Sequence, residues 1–106
     1  MKKYILVLIT ASSLQEGEKI GSTLVKEGLA ACCNIIPEIK SIFKWKGKLC
    51  KEKEVLLLVK SKTALFKKLK DRVRKLHSYE TPEIIAFPIE AGLKDYFKWI
   101  DEVLKA

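Results

Sequence analysis

Amides are nearly missing from this chain: Gln15 and Asn34 are the only two. Arginine is confined to Arg72 and Arg74, and histidine to His77. The apolar run Ile5 to Ile9 is far short of the roughly 20 residues that a membrane-spanning helix needs. Met1-Lys2-Lys3 resembles the charged start of a secretory signal. However, the apolar stretch behind it is too short and no small-residue cleavage site follows, so a cytoplasmic location is expected. The cysteines are Cys32, Cys33 and Cys50, an odd number with two adjacent, which excludes a disulfide framework. Neighbours on a strand point to opposite faces, so Cys32 and Cys33 do not grip one metal together. They are expected as small buried hydrophobes. There is no C-x-x-C, no H-E-x-x-H and no acidic calcium loop. Gly17, Gly21 and Gly28 do not form a phosphate-cradling loop. No Ser-His-Asp signature is present, and no nucleophile-base pair can be named, so an enzyme is not expected.

What is present fits one soluble globular domain over residues 1–106. A chain of this size buries roughly 65% of its unfolded surface, enough for a core without staples. Lys and Arg number 21 against 13 Asp and Glu, a net charge of +8. Because the excess is almost all lysine, planar arginine recognition of phosphates and bases has little to work with. Many Lys and Glu beside so few amides is the composition expected of a heat-adapted protein.

Tyr4 to Thr10 is a continuous apolar run with β-branched members and reads as a central strand. Ser12 and Ser13 stand ahead of Gln15 and Glu16 as a capping box, which starts a helix. Ile20, Leu24, Val25 and Leu29 form its apolar stripe, and Gly28 is its C-terminal cap. Gly21 inside that helix requires a close approach to the sheet to offset its cost of about 1 kcal/mol. Cys33, Ile35, Ile39, Phe43 and Trp45 then share one parity along a strand in which Pro37 predicts a bulge. Lys46-Gly47-Lys48 turns the chain into a second long strand, Leu49 to Ser61. A basic helix over Thr63 to Leu76 follows, with Phe66, Leu69, Val73 and Leu76 inward. Ile84 to Ile89 is a short strand. A final helix runs from about Leu93 to Val103, with Tyr96, Ile100 and Val103, or Phe97 and Leu104, on its inner side. The order strand, helix, strand, strand, helix, strand is the split βαβ pattern. The fold class is therefore α+β and ferredoxin-like: an antiparallel sheet with helices on one face, a long hairpin, and an extra C-terminal helix.

Lengths carry a further consequence. Thr63 to Leu76 spans about 21 Å as a helix, whereas Leu49 to Ser61 spans about 43 Å as a strand. The hairpin overshoots its helical cover and carries Phe43 and Trp45 on the overhang. An uncovered long edge with aromatics is an aggregation hazard, so a closed homo-oligomer is expected, with hairpins wrapping adjacent subunits.

The chemistry-bearing stretch is Leu76 to Ile89, L-H-S-Y-E-T-P-E-I-I-A-F-P-I. His77 near Glu80 and Glu83 has the make-up of a general base or a metal ligand. The alternative is a surface histidine favoured by the dipole at a helix C-terminus. Tyr79 and Trp45 read as packing or interface residues, and the lysine-rich helix face as solvated.

Several segments together resemble the CutA divalent-ion tolerance family. They are G-L-A-A-C-C-N-I-I-P (Gly28 to Pro37), S-I-F-K-W-K-G-K (Ser41 to Lys48), E-V-L-L-L-V-K-S (Glu54 to Ser61), His77 to Ile89, and Y-F-K-W-I (Tyr96 to Ile100). The resemblance covers essentially the whole chain in order. It implies a ferredoxin-like fold, a homotrimer, a cytoplasmic location and a role in copper or other divalent-metal tolerance. The family's bacterial copper pattern has a cysteine before Thr-Ala at the end of the first strand and two adjacent histidines after the second main helix. Here Ile9 precedes Thr10-Ala11, and the histidine pair is Leu76-His77. Only His77 remains of that pattern, so weak Cu²⁺ binding is expected, by one imidazole from each of three subunits or by His77 with Glu80 and Glu83 as candidate carboxylate partners. The rival reading follows the likeness of the trimer to nitrogen-regulatory signalling proteins. In it Lys60, His77, Tyr79 and Glu83 line an inter-subunit cleft for a small anionic ligand. RNA binding would need aromatics on a K/R-G-F-x-F-type strand, and none is present. Neither a nucleic-acid nor a membrane partner is expected.

Overall fold

The computed structural model describes residues 3–104. Met1 and Lys2 of the charged amino-terminal trio lie outside the described residues, as do Lys105 and Ala106. The elements are β1 (Tyr4–Ala11), α1 (Leu14–Lys26), β2 (Cys32–Trp45), β3 (Lys48–Lys62), a 3-10 turn (Thr63–Leu65) leading into α2 (Phe66–Leu76), β4 (Ile84–Pro88) and α3 (Lys94–Val103). The strands form one antiparallel sheet in the order β2-β3-β1-β4. This is the ferredoxin-like arrangement that the element order predicts.

One sheet face builds the core. Ile5, Val7, Ile9 and Ala11 of β1 and Val55, Leu57 and Val59 of β3 are buried against Ile20 and Leu24 of α1 and Leu69 and Val73 of α2. Val25, placed by its spacing in the α1 stripe, is instead 43% exposed. The predicted cap is present in a shifted form, with Ser13 as the N-cap and Glu16 reaching back one residue further, to Ser12. The Ser13 hydroxyl accepts the Glu16 N–H at 3.1 Å, and the Glu16 carboxylate accepts the Ser12 N–H at 2.9 Å. At the other end Gly28 takes φ +71°. The Leu29 N–H reaches the Leu24 carbonyl at 2.9 Å and the Gly28 N–H the Val25 carbonyl at 3.2 Å, a Schellman cap. Gly21 has the predicted reason to be glycine: a Cβ there would lie 2.9 Å from Cys33 Sγ.

Helix α3 resolves its two candidate phases. Phe97, Ile100 and Leu104 face inward, whereas Tyr96 and Val103 are 38% and 45% exposed. Phe97 stacks on Tyr4 with ring centroids 4.3 Å apart. The Tyr4 hydroxyl donates to Asp101 at 2.9 Å, and Lys62 pairs with the same carboxylate at 3.0 Å. Lys62 and Tyr4 hold the Asp101 carboxyl down to about 2. Tyr4 shares the parity of Leu6 and Leu8, so α3 covers one end of the sheet face opposite α1 and α2.

The hairpin overhangs as its length predicts: the molecule measures 44 × 25 × 23 Å. The bulge is also present, between Ile36 and Ile39. Its consequence corrects the parity reading. Cys33 and Ile35 pair with Val59 and Leu57 on the helix-covered face. Ile39, Phe43 and Trp45 pair with Glu54, Cys50 and Lys48 and lie on the other face, because β2 takes three steps from Ile36 to Ile39 where β3 takes two from Leu56 to Glu54, and this one extra residue flips every side chain beyond it. The cysteines are half-buried rather than fully buried. Only Cys33 packs on the core, where burial and the neighbouring Cys32 push its thiol up to about 11.

Gly21→Ala is expected to destabilise by about 1–2 kcal/mol despite the better helix propensity of alanine, because overpacking outweighs it. Denaturant unfolding of the single variant and of Gly21→Ala with Cys33→Ala checks this: the second change recovers part of the loss.

Candidate functional site

His77 terminates α2 with an extended backbone, and its N–H closes the helix on the Val73 carbonyl at 2.9 Å. Its side chain is fully buried, not on the surface as the alternative reading had it. Nε2 lies 2.7 Å from the Thr10 carbonyl, and Nδ1 lies 3.0 Å from the Tyr79 backbone nitrogen. A carbonyl only accepts and a backbone N–H only donates. The partners therefore assign the tautomer: the proton sits on Nε2 and donates to Thr10, while Nδ1 accepts from Tyr79. The ring thus joins the end of β1 to the start of the α2–β4 loop.

Two carboxylates complete this latch. Glu16 Oε1 accepts from the N–H and hydroxyl of Ser12, each at 2.9 Å, and Oε2 accepts the Ser78 N–H at 2.8 Å. Burial opposes the Glu16 charge, yet these donors outweigh it and hold the carboxyl down to about 2. The Tyr79 hydroxyl donates to Glu54 Oε2 at 2.7 Å, across to β3. Burial first, and then this bond to Glu54, push the phenol up. β1, α1, α2 and β3 are thereby tied to one loop by side-chain hydrogen bonds.

Between that loop and the hairpin runs a groove of about 850 Å³ whose walls include Thr10, Trp45, Glu52, Tyr79, Glu80 and Glu83. Of the residues named from sequence, the groove gathers Tyr79, Glu80 and Glu83. His77 lies behind it. Lys60 bonds Asn34 and sits six residues along β3 from Glu54, about 20 Å away at strand rise. Thr10, Ser12, Glu16 and Glu54 were not candidates. Glu16 already had a local role as a capping residue, and nothing local to Glu54 shows that Tyr79 returns to it.

A resident Cu²⁺ ion does not fit this donor set within one protomer. Both His77 ring nitrogens are engaged, so a cation would first have to displace the Tyr79 N–H. Among the described residues no group of three His, Cys, Asp or Glu side chains is arranged to hold a metal ion.

His77→Ala leaves the buried Thr10 carbonyl and Tyr79 N–H without partners and is expected to cost about 1–3 kcal/mol of stability by denaturant unfolding. Glu16 gives a pH signature. Its ordinary value is 4.5 and its folded value about 2. The stability it contributes is full above about 4.5 and is lost as pH falls toward 2. Unfolding measured across that window should lose up to about 3 kcal/mol, and Glu16→Gln should flatten the slope.

The chain matches the model of the CutA1 divalent ion tolerance protein family over residues 5–103. It is 47% identical to the divalent-cation tolerance protein CutA of Thermus thermophilus over 92% of this chain and 94% of that protein. A solved structure of the Archaeoglobus fulgidus protein, described as a periplasmic divalent cation tolerance protein, superposes with a TM-score of 0.93. It shares 44% identity, over 95% of this chain and 98% of that one. CutA1 from the psychrotrophic Shewanella sp. SIB1 superposes at 0.95 with 30% identity, over 99% of this chain and 98% of that one. With the fold and the sequence in agreement along nearly the whole chain, this protein belongs to the CutA1 divalent ion tolerance family.

Proposed function

We propose that the protein serves divalent-cation tolerance without catalysing a reaction, as a homotrimer that binds Cu²⁺ or a similar ion only weakly. The observation that carries the trimer is the sheet face opposite α1 and α2. Leu6, Leu8, Leu56 and Leu58 are half-buried at its centre. Around them Ile36, Ile85 and Phe87 are 39%, 45% and 47% exposed. The bulge carries Phe43 and Trp45 onto this same face, so the apolar surface continues along the overhang. A soluble chain rarely leaves a continuous apolar face of this kind uncovered, and a second copy supplies a matching one. Three copies is the number implied by the resemblance of the sequence.

Weak cation binding is read onto the groove. Glu80 and Glu83 are exposed carboxylates on its wall and offer hard oxygen donors without a closed coordination shell. His77 then acts from behind by fixing the loop that carries them. A second reading is favoured by the groove itself: about 850 Å³ is a volume suited to a small organic molecule. In it the groove takes a small ligand, with Tyr79 and Glu83 from one subunit and Lys60 from a neighbour.

Light scattering should return a trimer mass. Leu8→Glu with Leu58→Glu should release folded monomers or leave the chain insoluble, and an unchanged trimer would refute this interface. Calorimetric titration with Cu²⁺ should show weak binding that falls with Glu80→Gln and Glu83→Gln. One tight event abolished by His77→Ala would overturn the carboxylate reading and make the histidine a ligand. A ligand that raises Tm without any metal would favour the second reading.

A further inference from the structure

The bulge that sends Phe43 and Trp45 to one face of the hairpin sends a different set to the other. Register places Lys40 opposite Lys53, Ile42 opposite Lys51 and Lys44 opposite Leu49. By the pleat, these six side chains share the face opposite Phe43 and Trp45, although Ile42 and Lys53 also border the groove. All are exposed, Ile42 by 61% and Leu49 by 67%. In the turn, Lys48 stands opposite Trp45 and belongs to the other face, and Lys46 reaches over the Trp45 ring; the acidic member of the lysine face is Glu38 beside the bulge. Among the described residues none of Lys40, Lys44, Lys51 or Lys53 pairs with a carboxylate. Like charges directly opposite on a sheet repel, so the Lys40–Lys53 pair works against the hairpin that carries it.

We infer that, against the expectation from sequence of no membrane partner, this lysine face of the overhanging hairpin docks on an anionic lipid bilayer surface. Two features select that partner. The charge is carried by lysine alone, whereas planar phosphate and base recognition uses arginine forks. The non-polar members are two exposed aliphatic side chains, with no aromatic ring on which a base could stack. Basic side chains around projecting aliphatics match an acidic headgroup layer with hydrocarbon beneath it. The chain contributes no spanning helix: among the described residues none is long and apolar enough. Docking is therefore peripheral. The face is opposite the one proposed to meet other subunits, so both can be occupied together. Three copies in one assembly would strengthen the contact through multivalency.

The test is co-sedimentation of the full chain with two kinds of vesicle: pure phosphatidylcholine, and equimolar phosphatidylcholine and phosphatidylserine. Binding is expected to the second only, and to weaken as salt is raised. Lys40→Glu, Lys44→Glu and Lys51→Glu together should weaken it by about tenfold or more, as the Coulomb attraction reverses. Ile42→Ser with Leu49→Ser should weaken the fraction that survives high salt. Circular dichroism and light scattering on the same samples establish that each variant is folded and report its mass. Equal binding to both vesicles, no binding to either, or an undiminished triple variant would overturn the inference. Binding to duplex DNA in place of anionic vesicles would overturn it in favour of a nucleic-acid face. A folded monomer that still binds the anionic vesicles would sink the trimer and leave this face standing.

Discussion

The β-bulge between Ile36 and Ile39 divides the hairpin into two chemically distinct ribbons. Before it, Cys33 and Ile35 lean on the core beneath α1. Beyond it, the same sequence parity points the other way, and the overhang acquires an apolar and acidic face and a lysine face. A side-chain period of two makes a one-residue insertion act in this way: every residue after it changes sides. Without the bulge, Phe43 and Trp45 would lie on the helix side past the ends of the helices, with nothing to meet. With it, they extend the open apolar face of the sheet.

The site depends on a second constraint, the satisfaction of buried polar groups. Thr10 is next to last in β1, one residue beyond the final β1–β4 pair at Ile9, and the imidazole supplies a donor to its carbonyl. The other ring nitrogen then serves the Tyr79 N–H. Glu16 links the start of α1 to Ser78, and Tyr79 links the loop to Glu54. Each bond alone is worth about 1 kcal/mol, but leaving a buried partner unmade costs more. The network therefore fixes the loop as a unit, and with it the groove wall that bears Glu80 and Glu83. A histidine used in this way supports a site without spending its lone pair on a ligand.

Much of the fold is legible in the sequence because local signals agreed with tertiary ones. The β1 run, Val55 to Val59, the Ser13–Glu16 cap and Gly28 each have one physical solution. The need for Gly21 was also readable, since a helix interior keeps glycine only for a close approach. Less of the site was legible. Tyr79, Glu80 and Glu83 meet in one groove, but His77 is behind it and Lys60 is far along β3. Proximity in sequence to a cluster of carboxylates does not show which way an imidazole turns. In α3 both apolar phases satisfied helical spacing, and only the Tyr4 ring and Asp101 decided between them.

The sequence by itself determined the order and type of the elements, the overhang and the family, because periodicity, caps and strand length are local quantities. Tertiary structure decided which face each half of the hairpin presents, which α3 phase is inward, and that His77 is a buried latch. Those outcomes depend on register and on partners far along the chain, such as Thr10 for His77 and Glu54 for Tyr79. No local pattern encodes them.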